Sequence, residues 1–349
     1  MRLPLNPITR RKLQRFRSIK RGYYSFLLLS LLLLAAAFGE LLVNSRALIV
    51  HYQGHTYFPT YTAFHPGTDF GESSSYEVNY RKLAQKFARE HSGNWVLMPP
   101  VPYDPFENDF RAGVYPPTAP SWKERHFLGP DTTGRDVLAR LFYGFRTAMI
   151  FSLLYMVFVY LLGISIGCTM GYFGGTFDLL TQRLVEIWSN IPFLYVVIIV
   201  ASIVTPNLGW LLAIVVLFSW TGMTYYMRTA TYKEKARDYV SAAQVLGAGT
   251  GRIIFKHILP NTLSTLVTFI PFTLASAITL LTALDFLGFG LPPPTPSWGE
   301  LLHQGTANLD APWIVASAFF ALVVVLSLVT FIGEAVREAF DPKKFTVYK

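Results

Sequence analysis

Tyr239-Val-Ser-Ala-Ala-Gln-Val-Leu-Gly-Ala-Gly-Thr-Gly-Arg-Ile-Ile-Phe-Lys-His-Ile-Leu-Pro-Asn261 is a polar, basic interlude between two long apolar runs. It reads as a helix, a break at Gly247, a second short helix and a stop at Leu259-Pro260. Ala242, Ala243 and Gly247 are small, and small side chains let a helix lie close in a groove on a partner protein. An ordinary small-residue packing face is the plainer reading of the same letters.

Working outward, the flanking runs set the class. The chain has 349 residues, of which 52% are hydrophobic and 15% charged; soluble domains carry about 25% charged residues. Mean hydropathy is only +0.36 because a polar segment, 44–136, dilutes the rest. A spanning helix needs about 20 mostly apolar residues. The candidates are 23–43, 148–173, 187–227, 258–284 and 311–333, and the third is too long for one span. Thr205-Pro206-Asn207-Leu208-Gly209 divides it with turn residues. The sequence therefore predicts an all-α membrane protein of six helices, near 23–43, 147–172, 187–204, 209–227, 260–284 and 312–333, with Pro271 as a kink.

Lys and Arg placement orients the helices. Residues 1–22 hold Arg2, Arg10, Arg11, Lys12, Arg15, Arg17, Lys20 and Arg21 and no acid. Segment 228–257 holds Arg228, Lys233, Lys235, Arg237, Arg252 and Lys256, and the tail holds Arg337, Lys343, Lys344 and Lys349. The turn at 205–209 and segment 285–312 hold no basic residue. This puts a basic N-terminus (1–22), the loop 228–259 and a tail (337–349) in the cytoplasm. The net charge of +9 is thus a topology signal, and no basic face with interleaved aromatics suggests nucleic acid. Ala35-Ala36-Ala37 after a basic stretch also suits a cleaved signal peptide, but apolar residues continue past Glu40 through Val43, so an uncleaved helix is expected.

Segment 44–144 is expected to be a loop domain outside the membrane. His51 to Pro59 suits a strand pair around Gly54, Tyr76 to Glu90 an amphipathic helix, and Pro99 to Pro120 irregular chain. Thr133 and Asp136 have capping-box spacing before Val137, Leu138, Leu141 and Phe142, which predicts a short helix in the outer interface.

These motifs carry a resemblance. Ser241-Ala242-Ala243, Gly247 and Leu259-Pro260-Asn261 resemble the Glu-Ala-Ala loop of ABC importer permeases, with Ser241 in place of the family's Glu and His257 in place of its Ile. Gly129-Pro130-Asp131-Thr132-Thr133-Gly134-Arg135-Asp136 is similar to a signature of the second permease in dipeptide, oligopeptide and nickel importers, with Pro130 where the family has Thr. Gly171-Tyr172-Phe173-Gly174-Gly175, Phe286-Leu287-Gly288-Phe289-Gly290 and Pro294-Thr295-Pro296-Ser297-Trp298-Gly299 match the same branch. Tyr57-Phe58-Pro59, Thr68-Asp69-Phe70-Gly71 and the stretch from Phe331 to Pro342 look like microcin C importer permeases. The resemblance implies the type I importer fold over 145–336 and an inner-membrane location. It implies a second homologous permease, ABC ATPase subunits that dock on the 228–259 loop, and a periplasmic peptide-binding protein. The expected cargo is peptides or peptide-like compounds.

Little else suggests chemistry. No phosphate-binding loop follows Gly247 to Arg252, so ATP with Mg would be used by a partner, with no cofactor or metal held by this chain and no catalytic residue. His51 and His55 have metal-ligand spacing on a helix, but Gly54 argues against one. Cys168, the single cysteine, forms no internal disulfide. Glu186 and Glu334 read as helix-end anchors, and Trp210, Trp220, Trp298 and Trp313 as interfacial belting. The competing class is an ATP-independent channel or membrane enzyme.

Overall fold

The computed structural model describes residues 7–90, 93–110 and 113–340. Arg2 and the tail residues Asp341 to Lys349 lie outside the described residues. The chain opens with α1 (Pro7–Ser18) and α2 (Lys20–Ala37), separated at Ile19, and a turn, α3 (Gly39–Leu42). A small unit follows: β1 (Ile49–Tyr52), β2 (His55–Tyr57), α4 (Tyr80–Glu90) and β3 (Trp95–Leu97). The strands pair antiparallel in the order β2-β1-β3. Val50, Phe70, Val78, Tyr80, Leu83 and Phe87 bury a separate apolar core beneath them.

The bundle comes next: α5 (Val137–Phe173), α6 (Gly175–Ser189), α7 (Phe193–Ile203) and α8 (Leu208–Lys235). After α9 (Asp238–Val245) and α10 (Thr250–Arg252), a π-helical turn (Ile253–Ile258) runs into α11 (Leu259–Phe286). It ends with α12 (Trp298–Ala307) and α13 (Pro312–Phe340). Five helices are long and apolar enough to cross a membrane, and the pair α6–α7, bent by 63°, makes a sixth if it counts as one span. Apolar side chains such as Leu154, Phe158, Leu161, Leu184 and Phe320 face outward. Outward apolar faces on hydrogen-bonded helices are what lipid requires, and the chain is a multi-pass membrane protein.

Glycine sets the tightest contact. Gly163, Gly167 and Gly171 form a stripe on α5 at four-residue spacing. A Cβ there would lie 2.5 Å from the Met223 Cβ, 2.5 Å from the Thr224 carbonyl oxygen and 2.6 Å from the Arg228 carbonyl oxygen, all on α8. Lipid supplies no hydrophobic drive between helices, so close backbone approach is how they attract. Gly22 plays the same part between α2 and α13, where a Cβ would meet Ala335 at 2.1 Å.

Four expectations are corrected. The helix expected over 187–204 is broken at Asn190-Ile191-Pro192, because Pro192 donates no hydrogen bond; its first arm starts at Gly175. The separate interfacial helix after Asp136 does not exist, since α5 runs unbroken from Val137; the domain boundary expected at 144/145 falls inside it. The capping box is absent. Asp136 itself is the N-cap and accepts from the Ala139 amide at 2.7 Å, while Thr133 donates to Asp131. Leu259-Pro260 does not stop the helix. Pro260 does lie in the first turn of α11, as expected of the start of a span, but the π turn joins it without a break to the short helix before it; the Asn261 side chain donates to the His257 carbonyl at 2.7 Å.

Candidate functional site

The two motifs found by sequence lie at opposite ends of the bundle. One end gathers the 228–259 segment, the start of α2 and the end of α13, where Arg21 pairs with Glu334 at 2.5 Å. The other gathers the end of α2, the start of α5 and the 286–312 segment, where Glu40 pairs with Arg146 at 2.8 Å.

At the first end, α9 is short and half-embedded. Val240 and Ala243 point into a small core with Ile253 and Ile258. Ser241, Ala242 and Gly247 stay on the surface, as do Leu246, 86% exposed, and Val245, 88% exposed. The helix closes in a Schellman turn. The Ala248 amide donates to the Ala243 carbonyl at 3.0 Å and the Gly247 amide to the Gln244 carbonyl at 2.9 Å, with Gly247 at φ 78°. A Cβ on Gly247 would meet nothing within 4 Å, so it is the left-handed backbone that calls for glycine here.

The segment is bolted to the bundle. Lys235 Nζ donates to the Tyr172 carbonyl at 2.5 Å, and the Tyr239 hydroxyl donates to Glu234 at 2.7 Å, with the His257 carbonyl 3.5 Å from it. Asp178 on α6 accepts from Arg228 Nε at 2.5 Å and from the Tyr232 hydroxyl at 2.7 Å. Tyr239 thus ties α9 to α8 and to the π turn, and α8 is tied in turn to α5 and α6. Sequence reading grouped Ala242, Ala243 and Gly247 as one small face; the fold turns Ala243 inward and offers Val245 and Leu246 instead. Two adjacent apolar residues in a polar loop were the available signal.

At the second end the signature residues form the heart of a buried ionic joint. Asp131 is fully buried; it accepts from Thr133 Oγ1 at 2.8 Å, from the Arg135 amide at 3.0 Å and from Arg135 Nε at 2.9 Å. Arg140 Nε lies 3.4 Å from the same carboxylate. Both guanidiniums then reach Glu300 on α12, Arg135 at 3.0 Å and Arg140 in a short contact. Gln304 donates to Glu300 at 2.5 Å and accepts from Thr132 Oγ1 at 2.8 Å. Arg140 Nη1 also donates to the carbonyls of Pro105 at 3.2 Å and Pro294 at 3.1 Å. Two acids balance two bases, which burial demands.

Gly129 and Gly134 supply the turns, at φ 72° and 83°, and a Cβ on Gly129 would lie 2.8 Å from the Thr118 carbonyl oxygen. Asp136 spends one oxygen on capping α5 and the other on His126 Nδ1, 2.7 Å away. His126 Nε2 faces Asp109 at 3.1 Å, and its ring stacks on Tyr103 with centroids 3.8 Å apart. Burial alone would lower the His126 pKa, but hydrogen bonds to Asp109 and Asp136 and their charges outweigh it and raise it. Arg81 covers the far face of this stack, 4.4 Å from the Tyr103 centroid, and pairs with Glu107 at 2.5 Å. Sequence reading found Gly129, Asp131, Gly134, Arg135 and Asp136 but missed Arg140, His126, Glu300 and Gln304. Glu300, an acid in a segment without bases, was the clearest available signal.

Comparison with known proteins now adds a family. A model described as "Binding-protein-dependent transport system inner membrane component" matches residues 163–346. The inner membrane ABC transporter permease protein YejE of Escherichia coli is 42% identical over 340 residues, covering 97% of this chain and 98% of that protein. The peptidoglycan transport system permease protein YejE of Agrobacterium fabrum is 39% identical over 363 residues, covering 97% and 94%. The dipeptide transport system permease protein DppC of Haemophilus influenzae is 34% identical over 254 residues, covering 71% and 85%.

Proposed function

The chain belongs to the family of binding-protein-dependent transport system inner membrane components, and from that premise we propose that it is the permease subunit of an ATP-driven importer of peptides or peptide-like compounds, microcin C-like molecules among them. The observation that carries this reading is the α9–α10 segment. It presents Val245 and Leu246 to the outside while Val240 and Ala243 anchor it to the bundle. A soluble ATPase subunit is the partner that suits an apolar knob on a rigid, basic membrane-protein end. ATP with Mg is used by that partner, not by this chain.

A second, homologous permease completes the pathway, and a periplasmic peptide-binding protein delivers the cargo. The N- and C-termini and the α9–α10 segment are cytoplasmic. The β1–β3 unit with the ionic joint is external and contacts the binding protein or the second permease. Six spans cross the inner membrane, with the α6–α7 pair as one of them. Relatives named for peptide and peptidoglycan transport support the cargo class.

The test is Val245→Asp with Leu246→Asp in the co-expressed complex. Both side chains are exposed, so the permease is expected to stay folded in the membrane while the ATPase subunit no longer co-purifies. Full retention of a stimulated ATPase would reject the docking role.

A further inference from the structure

We infer that α1, together with Lys20, is a binding surface for the headgroups of anionic phospholipids. Within its 12 residues α1 carries Arg10, Arg11, Lys12, Arg15 and Arg17 and no acid. The structure divides these charges between two jobs. On one face Lys12 lies over the Phe340 ring at 4.5 Å and Arg15 pairs with Glu338 at 3.9 Å. Phe16 packs edge-on against Tyr23 and Phe26. That face clamps α1 to the end of α13 and the start of α2. Arg10, Arg11 and Arg17 lie on the exposed side, and among the described residues no acid pairs with them or with Lys20.

Depth and chemistry favour lipid over other polyanions. Lys20, Tyr24, Leu27, Leu31 and Leu34 are all exposed and share one stripe of α2 at helical spacing. The stripe is apolar up to Tyr24, 63% exposed, and then turns basic at Lys20. Tyrosine followed by lysine at a span's end marks where hydrocarbon meets headgroups. Arg17 follows within one turn of that boundary. Leu13, 46% exposed, sits between Arg10 and Arg17 on one face. An apolar side chain framed by arginines suits the boundary between headgroups and acyl chains, whereas a nucleic acid or acidic peptide would leave it wet. Guanidiniums also bind phosphate in bidentate fashion, so phosphatidylglycerol is the natural probe.

The experiment titrates the purified full chain in neutral detergent with phosphatidylglycerol or phosphatidylcholine and counts bound lipids by native mass spectrometry. Wild type is expected to prefer phosphatidylglycerol. The variant R10Q/R11Q/R17Q/K20Q should weaken that preference about tenfold or more, given the contribution of each basic residue at a lipid surface. The variant R10K/R11K/R17K should keep most of it, and R252Q/K256Q, which removes charge elsewhere at the same end, should change it less than about twofold. No preference in wild type would overturn the inference. So would an equal loss in R252Q/K256Q, or equally tight binding of soluble glycerol phosphate, which would mark a free-phosphate site.

Discussion

Arg140 shows how much a single side chain does here. It is fully buried near the start of α5, yet it holds Glu300 and two proline carbonyls from different parts of the chain. Glu300→Gln would leave two buried guanidiniums facing one carboxylate. Breaking such a pair costs about 3 to 5 kcal/mol, because the surviving charge is stranded. Thermal unfolding of the detergent-solubilised protein should show a large loss for Glu300→Gln. A double variant, Arg140→Met with Glu300→Gln, should recover part of it, since Asp131 and Arg135 then balance. A double variant less stable by the full sum of the single losses would contradict the pairing. His126 gives a pH signature. Both its ring nitrogens face carboxylates, an arrangement that only the imidazolium serves with two N–H donors. Its raised folded pKa means that this stabilisation is fully present below the unfolded value of about 6.5 and is lost as pH rises through the folded one. The stability advantage of wild type over His126→Gln should therefore shrink as pH rises above the unfolded value of about 6.5. An advantage that stays flat or grows as pH rises would show that the charge does not matter.

At the scale of elements, the apolar runs were legible because lipid leaves the sequence few options: about 20 apolar residues must be helical. The hairpin around Gly54 and the helix ending at Glu90 were legible from local periodicity. What stayed hidden was anything whose reason lies far along the chain. Gly163, Gly167 and Gly171 look like scattered small residues until Met223, Thr224 and Arg228 are laid against them. Asp131 looks like a turn residue until Arg135 and Arg140 are seen to link it to Glu300 on α12. The break before Pro192 was missed because the expected helix began at 187, where the charge-free run starts, and so left out the charged arm that reaches back to Gly175. Pro260 was legible as the start of a membrane helix, but the π turn that joins this helix to the short one before it was not. The glycine stripe makes a direct prediction. Gly167→Leu would drive a side chain into the Thr224 carbonyl and the Met227 Cβ, where a single Cβ already stands 2.5 and 2.7 Å away. Backbone cannot yield as a side chain does, so α5 and α8 should separate. The expected outcome is loss of the folded monomer peak in detergent, while Gly222→Leu, with open space around it, is tolerated. Equal behaviour of the two variants would refute the stripe.

For the whole molecule, the two ends divide the work. The end with α9 is basic and carries the exposed Val245 and Leu246; at the other end the ionic joint ties Arg135 and the start of α5 to α12, and Arg81 on α4 reaches its surroundings through Tyr103 and Glu107. Four long helices, α5, α8, α11 and α13, run between them, so a displacement at one end has rigid elements to travel through. That arrangement suits a permease worked from one side and supplied from the other. On the proposed function, transport through this chain is driven by ATP hydrolysed on a partner. The most direct measurement is uptake of labelled peptide into proteoliposomes that contain this chain, its partner permease and the ATPase subunit, with binding protein outside and ATP inside. Uptake is expected to need both ATP and binding protein and to be abolished by Val245→Asp with Leu246→Asp. Equal uptake without ATP, down the peptide gradient alone, would contradict it and identify a channel.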